Sequence, residues 1–196
     1  MQKNSPSETG SNRLGVDFGT GFTVVTVRDE RDITRVYDFA TLSRPFPVAE
    51  LEHYVSRLPS QIRYNEDGTW SIGKADLTER MNTTTAVRGL RHYILEGSTV
   101  QVPRGGGLTT GYMNAGSDFL SALLNHISHN GTDVREVVFS VPVNSPRQYS
   151  VWLRDVAAKE GFRVPFLIDE PCAAVKGYGL TISPGSLFIL FDFHQY

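Results

Sequence analysis

Cysteine is nearly absent. The 196 residues hold one, Cys172, so the chain can form neither an internal disulfide nor a cysteine zinc cluster. That suits a reducing compartment, and a cytoplasmic location is expected. No apolar run approaches the roughly 18 residues that mark a membrane-spanning helix. Met1 to Asn12 is polar throughout and lacks the apolar centre of a secretory signal. Charge of one sign is also missing: 19 Lys and Arg stand against 21 Asp and Glu, a formal net charge of −2. This balance favours neither nucleic acid nor an acidic membrane surface as a partner. No glycine loop ends in Lys-Ser or Lys-Thr, which excludes a P-loop.

What is present is ordinary globular material, 40% hydrophobic and 20% charged. Residues 1–12 are rich in Ser, Asn and Gly and are expected to be a disordered tail. Leu14 to Phe18 and Phe22 to Val27, separated by Gly19-Thr20-Gly21, read as a hairpin, and Ile33 to Phe39 as a third strand. Residues 42–112 read as an inserted subdomain of small α+β character. It holds a hairpin at Ile62–Tyr64 and Trp70–Ile72, short helices over Lys74–Met81 and Thr85–Tyr93, and a flexible loop at Pro103–Gly107. Ser117 is the expected N-cap of a helix to about His129, with Phe119, Leu120, Leu123, Leu124 and Ile127 on one face. Strands are expected over Val134–Val141, Val164–Ile168 and Leu187–Phe191, and helices over Arg147–Glu160 and Glu170–Leu180. The order β-β-β, insertion, α-β-α-β-α-β predicts an α/β fold, a mixed sheet covered by helices. That plan is the ribonuclease-H-like one of actin-like and sugar-kinase-like ATPases.

Two motifs carry chemistry. In Gly15-Val16-Asp17-Phe18-Gly19-Thr20-Gly21, a glycine turn after a strand exposes N–H groups that phosphate oxygens can approach. Asp17 at the strand end suits a hydrated Mg²⁺, which keeps most of its waters. Thr20 and Thr23 add hydroxyls. Read alone, the motif serves equally well as a plain hairpin. The second motif runs Val141-Pro142, a helix closing at Gly161, then Asp169-Glu170-Pro171-Cys172-Ala173-Ala174 and Tyr178-Gly179-Leu180. His126 and His129, three apart on a helix, read as a solvated face rather than a metal site. Gly105-Gly106-Gly107 reads as a loop with no strand or helix start to make it a phosphate cradle.

The second motif resembles the seventy-kilodalton heat-shock chaperones over about 45 residues without gaps. There, a strand ending in Val-Pro is followed by a helix, Asn-Glu-Pro-Thr-Ala-Ala-Ala and Tyr-Gly-Leu. Leu58-Pro59-Ser60-Gln61-Ile62 and Gly73-Lys74-Ala75 are similar to two further family segments, so the likeness covers about residues 13–192. It implies the first lobe of an actin-like ATPase domain over 13–196, with ATP and Mg²⁺ as cofactors. Asp17 and Asp192 would face the metal through water. Gly19, Thr20 and Gly21 would line the β- and γ-phosphates, with Thr23 beside them. Glu170 would position a metal-bound or attacking water, Arg88 would fall where the family has a catalytic lysine, and Pro142 would be a hinge.

The departures from the pattern are informative. Arg88 replaces a lysine of different geometry, and Ser150 stands where the family has a coupling arginine. Cys172 replaces a Thr and is expected to pack as a small side chain. Ile189-Leu190-Phe191-Asp192-Phe193 echoes the first motif, yet His194-Gln195-Tyr196 follows where the family has a second glycine loop. The expectation is therefore a lobe truncated before that loop, with weak nucleotide binding and little hydrolysis. Co-chaperones and unfolded peptides would be partners through domains downstream. Two alternatives stand beside it: a non-enzymatic module that binds a partner or self-associates through an exposed face, and an actin-like or sugar-kinase-like member of the same superfamily.

Overall fold

Leu14, Val16 and Phe18 alternate with Arg13, Gly15 and Asp17, and a strand turns that period of two into two faces. In a computed structural model, which describes residues 12–48, 51–74, 86–130, 133–181, 183 and 185, these residues form β1 (Asn12–Phe18). The strand includes Asn12, the last residue of the expected tail; residues 1–11 lie outside the described residues. β2 (Phe22–Arg28) returns antiparallel, with Val25 opposite Val16 and Thr23 opposite Phe18. β3 (Thr34–Val36), shorter than the expected strand, pairs with β2. β4 (Arg44–Val48) and β5 (Leu51–Pro59) pair with each other, and β5 joins β2 through Leu58 and Pro59.

The segment after Ser60 stands off this sheet. β6 (Ile62–Tyr64), β7 (Trp70–Ile72) and β8 (Ala86–Val87) make a three-stranded sheet, followed by α1 (Leu90–Leu95). β9 (Gln101–Gly105) and β10 (Leu108–Gly111) form a hairpin. The chain then alternates: α2 (Tyr112–His129), β11 (Val134–Val141), α3 (Arg147–Lys159), β12 (Leu167–Asp169) and α4 (Glu170–Gly177). The main sheet runs β12-β11-β1-β2-β5-β4, with β3 on β2. β12, β11 and β1 are mutually parallel and the rest antiparallel. The protein is thus a mixed α/β fold with helices over its mixed sheet. β4 and β5 belong to this main sheet although they fall within residues 42–112.

The core lies between the sheet and α2 and α3. Phe18 stacks on Phe119 of α2 at 5.6 Å and meets Trp152 of α3 at 6.3 Å. Leu120, Leu123, Leu124, Ile127, Val137 and Phe139 are fully enclosed. Gly116 is where α1, α2 and α3 close on one another: a Cβ there would stand 2.5 Å from Ile94 and 3.1 Å from Trp152. The small sheets are tied to α2 through Asp118, which accepts from the Tyr64 hydroxyl at 2.7 Å and pairs with Arg104 at 3.2 Å.

Five expectations are corrected. α2 begins at Tyr112, not at Ser117, because Gly111 is extended and leads straight from strand to helix. Ser117 instead sits within the helix, bonding back to Met113 O and accepting from Trp152 Nε1. Pro103–Gly107 is no free loop: it contributes to β9 and to a tight turn, with Gly105, Gly106 and Gly107 all at positive φ. At Gly105 a Cβ would come within 2.0 Å of Asn65 O. The expected helix over Thr85–Tyr93 resolves into β8 and α1, separated by Gly89 at φ 66°. The expected strand over Val164–Ile168 starts at Leu167, after Pro165, which has no N–H for the ladder. α4 also closes at Gly177 rather than Leu180, through bonds from Gly179 N to Lys176 O and Leu180 N to Val175 O. Past Lys74, the expected helix over Lys74–Met81 lies outside the described residues, as does the strand expected over Leu187–Phe191.

Phe119→Ala is expected to cost about 3–5 kcal/mol in urea unfolding, the usual range for a buried ring. His126 adds a pH dependence. Half-buried against Phe39 and Tyr37, its imidazole is held below the ordinary value of 6.5 by desolvation. The unfolded chain therefore takes up that proton first, and stability declines as pH falls below about 6.5. Over that window the urea midpoint of wild type should fall as pH is lowered, and His126→Gln should lack that component of the fall.

Candidate functional site

Parallel strands place their carboxyl ends together, and in an open α/β sheet that edge is where ligands sit. Here it gathers the end of β1, the end of β11 and the junction of β12 with α4. Asp17, on the face of β1 opposite the core, accepts from Ser140 Oγ of β11 at 2.7 Å. The register explains the meeting: Val16 lies opposite Phe139, so the next residues, Asp17 and Ser140, share the polar face.

Glu170 is the first residue of α4, directly after Asp169, which lies opposite Val141. Pro171 follows at a position where its missing N–H does no harm, and the helix N-terminus favours the carboxylate. Arg91 of α1 donates through Nη1 to Glu170 Oε1 across 79 residues of sequence. Both partners are largely enclosed, with side chains 11% and 27% exposed. Such a pair contributes about 1.5–3 kcal/mol as a charge-assisted hydrogen bond.

Tyr149 lies on α3, in the core beneath the sheet. Its side chain is 1% exposed, and its ring packs on Trp152 at 5.5 Å. Among the described residues its hydroxyl has no hydrogen-bond partner. Leaving such a group unmet costs about 1–3 kcal/mol. Burial pushes the phenol well above its ordinary value. Glu170 and Asp17 push it the same way, while Arg91 opposes them.

The glycine turn stands beside Asp17. Gly19 N donates to Asp17 O and Phe22 O, and a Cβ on Gly19 would be 2.4 Å from Phe22 O. Gly21 is different: it is exposed, and a Cβ there would meet nothing within 4 Å. Thr20, half-buried, lies between them. Thr23 is fully buried and its hydroxyl pairs with Ser60 Oγ at 2.8 Å. It supports the turn from beneath rather than offering a donor at the surface. Ser60 N also bonds Gly21 O at 2.9 Å. The next residue, Gln61, donates to Gly73 O and accepts from Arg88 Nε at 3.0 Å. The segments Leu58–Ile62 and Gly73–Lys74 are thus neighbours in space, and Arg88, exposed, is linked to the glycine turn but not to Glu170.

Pro142 follows β11 at the same edge and accepts from Ser145 N. Ser150 is half-buried on α3. Cys172 is exposed, a correction to the packed side chain expected: at the third position of α4 it faces away from the core. Asp192 lies outside the described residues. His129 turns back to Asn125 O, and His126 packs on aromatic rings. Among the described residues no group of three or more His, Cys, Asp or Glu is placed to hold a metal ion. Asp17 and Glu170 are oxygen donors beside a hydroxyl and a guanidinium. This set fits a hydrated Mg²⁺ carried by a phosphate chain, which needs few protein ligands, and not a metal caged by protein.

Arg91, Ser140, Ser60 and Tyr149 were not singled out from sequence. Ser140 could have been, as a hydroxyl directly after the apolar run Val137-Val138-Phe139; Tyr149 reads only as part of an apolar helical stripe. No family model matches the chain, and no curated protein matches it.

Gly19→Ala is expected to lower the thermal midpoint clearly, because the added methyl meets backbone. Gly21→Ala should leave the midpoint unchanged. Differential scanning calorimetry of the two variants checks the contrast.

Proposed function

We propose that this chain is an ATP-binding lobe of a heat-shock-chaperone-like ATPase, built on the ribonuclease-H-like plan. The observation that carries this reading is the Asp17–Ser140 hydrogen bond at the carboxyl edge of three parallel strands, the edge where Glu170 opens α4, next to an open glycine turn. Mg²⁺, when bound with the nucleotide, would supply charge neutralisation for the transferred phosphoryl group.

The chain's own residues have separable roles in this reading. Asp17 and Glu170 orient metal-bound water through their carboxylates. Ser140 holds the Asp17 carboxylate in one direction. The backbone at Thr20 and Gly21 approaches the phosphate oxygens, which Gly21 permits because no side chain intervenes. Arg88 is held by Gln61 near this turn and adds positive charge to it. Catalysis of this kind works by positioning and electrostatics. In this reading the described residues supply the phosphate and metal end, and affinity should be low.

A second reading is favoured by a separate observation. Val143, Phe166, Tyr178 and Leu180 are exposed apolar residues following β11, preceding β12 and following α4. Together they suit a covered face, as an interaction module would need. Concentration-dependent light scattering tests it; a monomer at every concentration would sink self-association.

Titration calorimetry with Mg-ATP is expected to give a dissociation constant weaker than micromolar that Asp17→Asn weakens by about tenfold or more, the loss of one charge-assisted contact. Gly21→Ala should weaken it as well, with no loss of stability. No heat of binding at millimolar Mg-ATP would refute the nucleotide reading.

A further inference from the structure

The core-facing side of the main sheet reaches the surface at the end where β1 begins. Val27 packs against the rim of the core, with Leu14 opposite it on β1 and Arg35 opposite it on β3. A cleft of about 320 Å³ opens there, a size that suits a small ligand. Its apolar wall is Val27, Ile33, Val36 and Tyr37. Tyr37 is set edge-on to the buried Phe39 at 4.8 Å, while Ile33 and Val36 remain exposed. Three charged residues also line the cleft, and they do not balance. Asp29 and Arg35 pair at 3.6 Å, and Asp29 Oδ1 also accepts from Arg31 N and Ile33 N. Asp38 has no cationic partner among the described residues. All its hydrogen bonds reach Oδ1, from the Ser56 hydroxyl and Ala40 N at 2.9 Å and the Ser43 hydroxyl at 3.3 Å. These donors hold the carboxyl below its ordinary value of 3.8, so it is ionised at neutral pH with Oδ2 unused. A bare metal ion would leave the apolar wall unmatched, and a neutral apolar molecule would leave the charge unmatched. A cation with a hydrocarbon body satisfies both.

We propose that this cleft binds a small alkylammonium, the ammonium donating to the Asp38 carboxylate and the hydrocarbon lying on Val27, Ile33 and Val36. The cleft lies at the opposite end of β1 from Asp17, so the proposal does not depend on the nucleotide reading. Ser43 and Ser56 are positioning residues here. They fix the direction of the carboxylate before the ligand arrives, which spares binding the cost of ordering it. No bond is made or broken; the cleft recognises charge and apolar surface together.

The probe is n-hexylammonium chloride, titrated into the full chain and followed by amide ¹H–¹⁵N shifts, with hexanol and sodium hexanoate as controls. Shifts should cluster at Val27, Ile33 and Val36 with a dissociation constant of about a millimolar. Hexanol should bind about tenfold more weakly, the loss of one charge-assisted hydrogen bond, and hexanoate should not bind. Asp38→Asn should weaken the probe by a similar factor. Because that change also touches the bonds to Ser43 and Ser56, Ile33→Lys is read beside it. This variant leaves Asp38 and its donors intact, places a tethered ammonium in the cleft, and should abolish binding with the thermal midpoint unchanged. Nα-acetyl-lysine methylamide separates a free amine from a lysine side chain of a polypeptide: either binding upholds the site, and the tighter names its source. No localised shifts at tens of millimolar probe, equal affinity for hexanol, or unchanged binding by Ile33→Lys would each overturn the inference.

Discussion

The register in which β1 lies parallel to β11 is the constraint on which the site depends. Leu14 opposite Val137 and Val16 opposite Phe139 send Phe18 into the core and leave Asp17 with Ser140 on the polar face. A slip of one residue would exchange those faces. Asp17 would then point at Phe119 and Trp152, and burying an unpaired carboxylate there is far costlier than any contact it could gain. The stacked Phe18–Phe119 pair therefore does more than add apolar burial. It enforces the one alignment in which the carboxylate reaches the sheet edge.

A second set of contacts holds the turn that follows. Thr23, buried beneath it, is bonded to Ser60, and Ser60 N holds Gly21 O. Gln61 then reaches both Gly73 and Arg88. Four stretches distant in sequence are thereby locked around one hairpin, so the open space at Gly21 rests on a rigid base. Rigidity of this kind is what a positioning site needs, since donors that must reorganise lose much of their worth. The Arg91–Glu170 pair does the same from the opposite side, fixing the first turn of α4 against α1.

Much of this was legible locally. The β1–β2 hairpin, the Ile62–Tyr64 and Trp70–Ile72 hairpin, β11 and α3 follow from periods of two and 3.6 with glycine and proline at their ends. Errors fell where tertiary contacts outweigh local signals. Ser117 has the chemistry of a cap, but the Trp152 indole uses its oxygen within the helix. The glycine run at 105–107 has the composition of a loop, but its left-handed residues close a hairpin against Asn65.

The site divides in the same way. The sequence alone determined that an aspartate ends the first strand before a glycine turn, and that a glutamate opens a helix after a later strand. Strand and helix periodicity place such residues by short-range rules. Only the tertiary structure decided that Ser140 would hold Asp17 across 123 residues, and that Arg91 rather than Arg88 would reach Glu170 across 79. It alone also enclosed the Tyr149 hydroxyl. These are matters of sheet order and helix packing, in which residues far apart in the chain compete for the same few ångströms, and no local pattern records which of them will arrive.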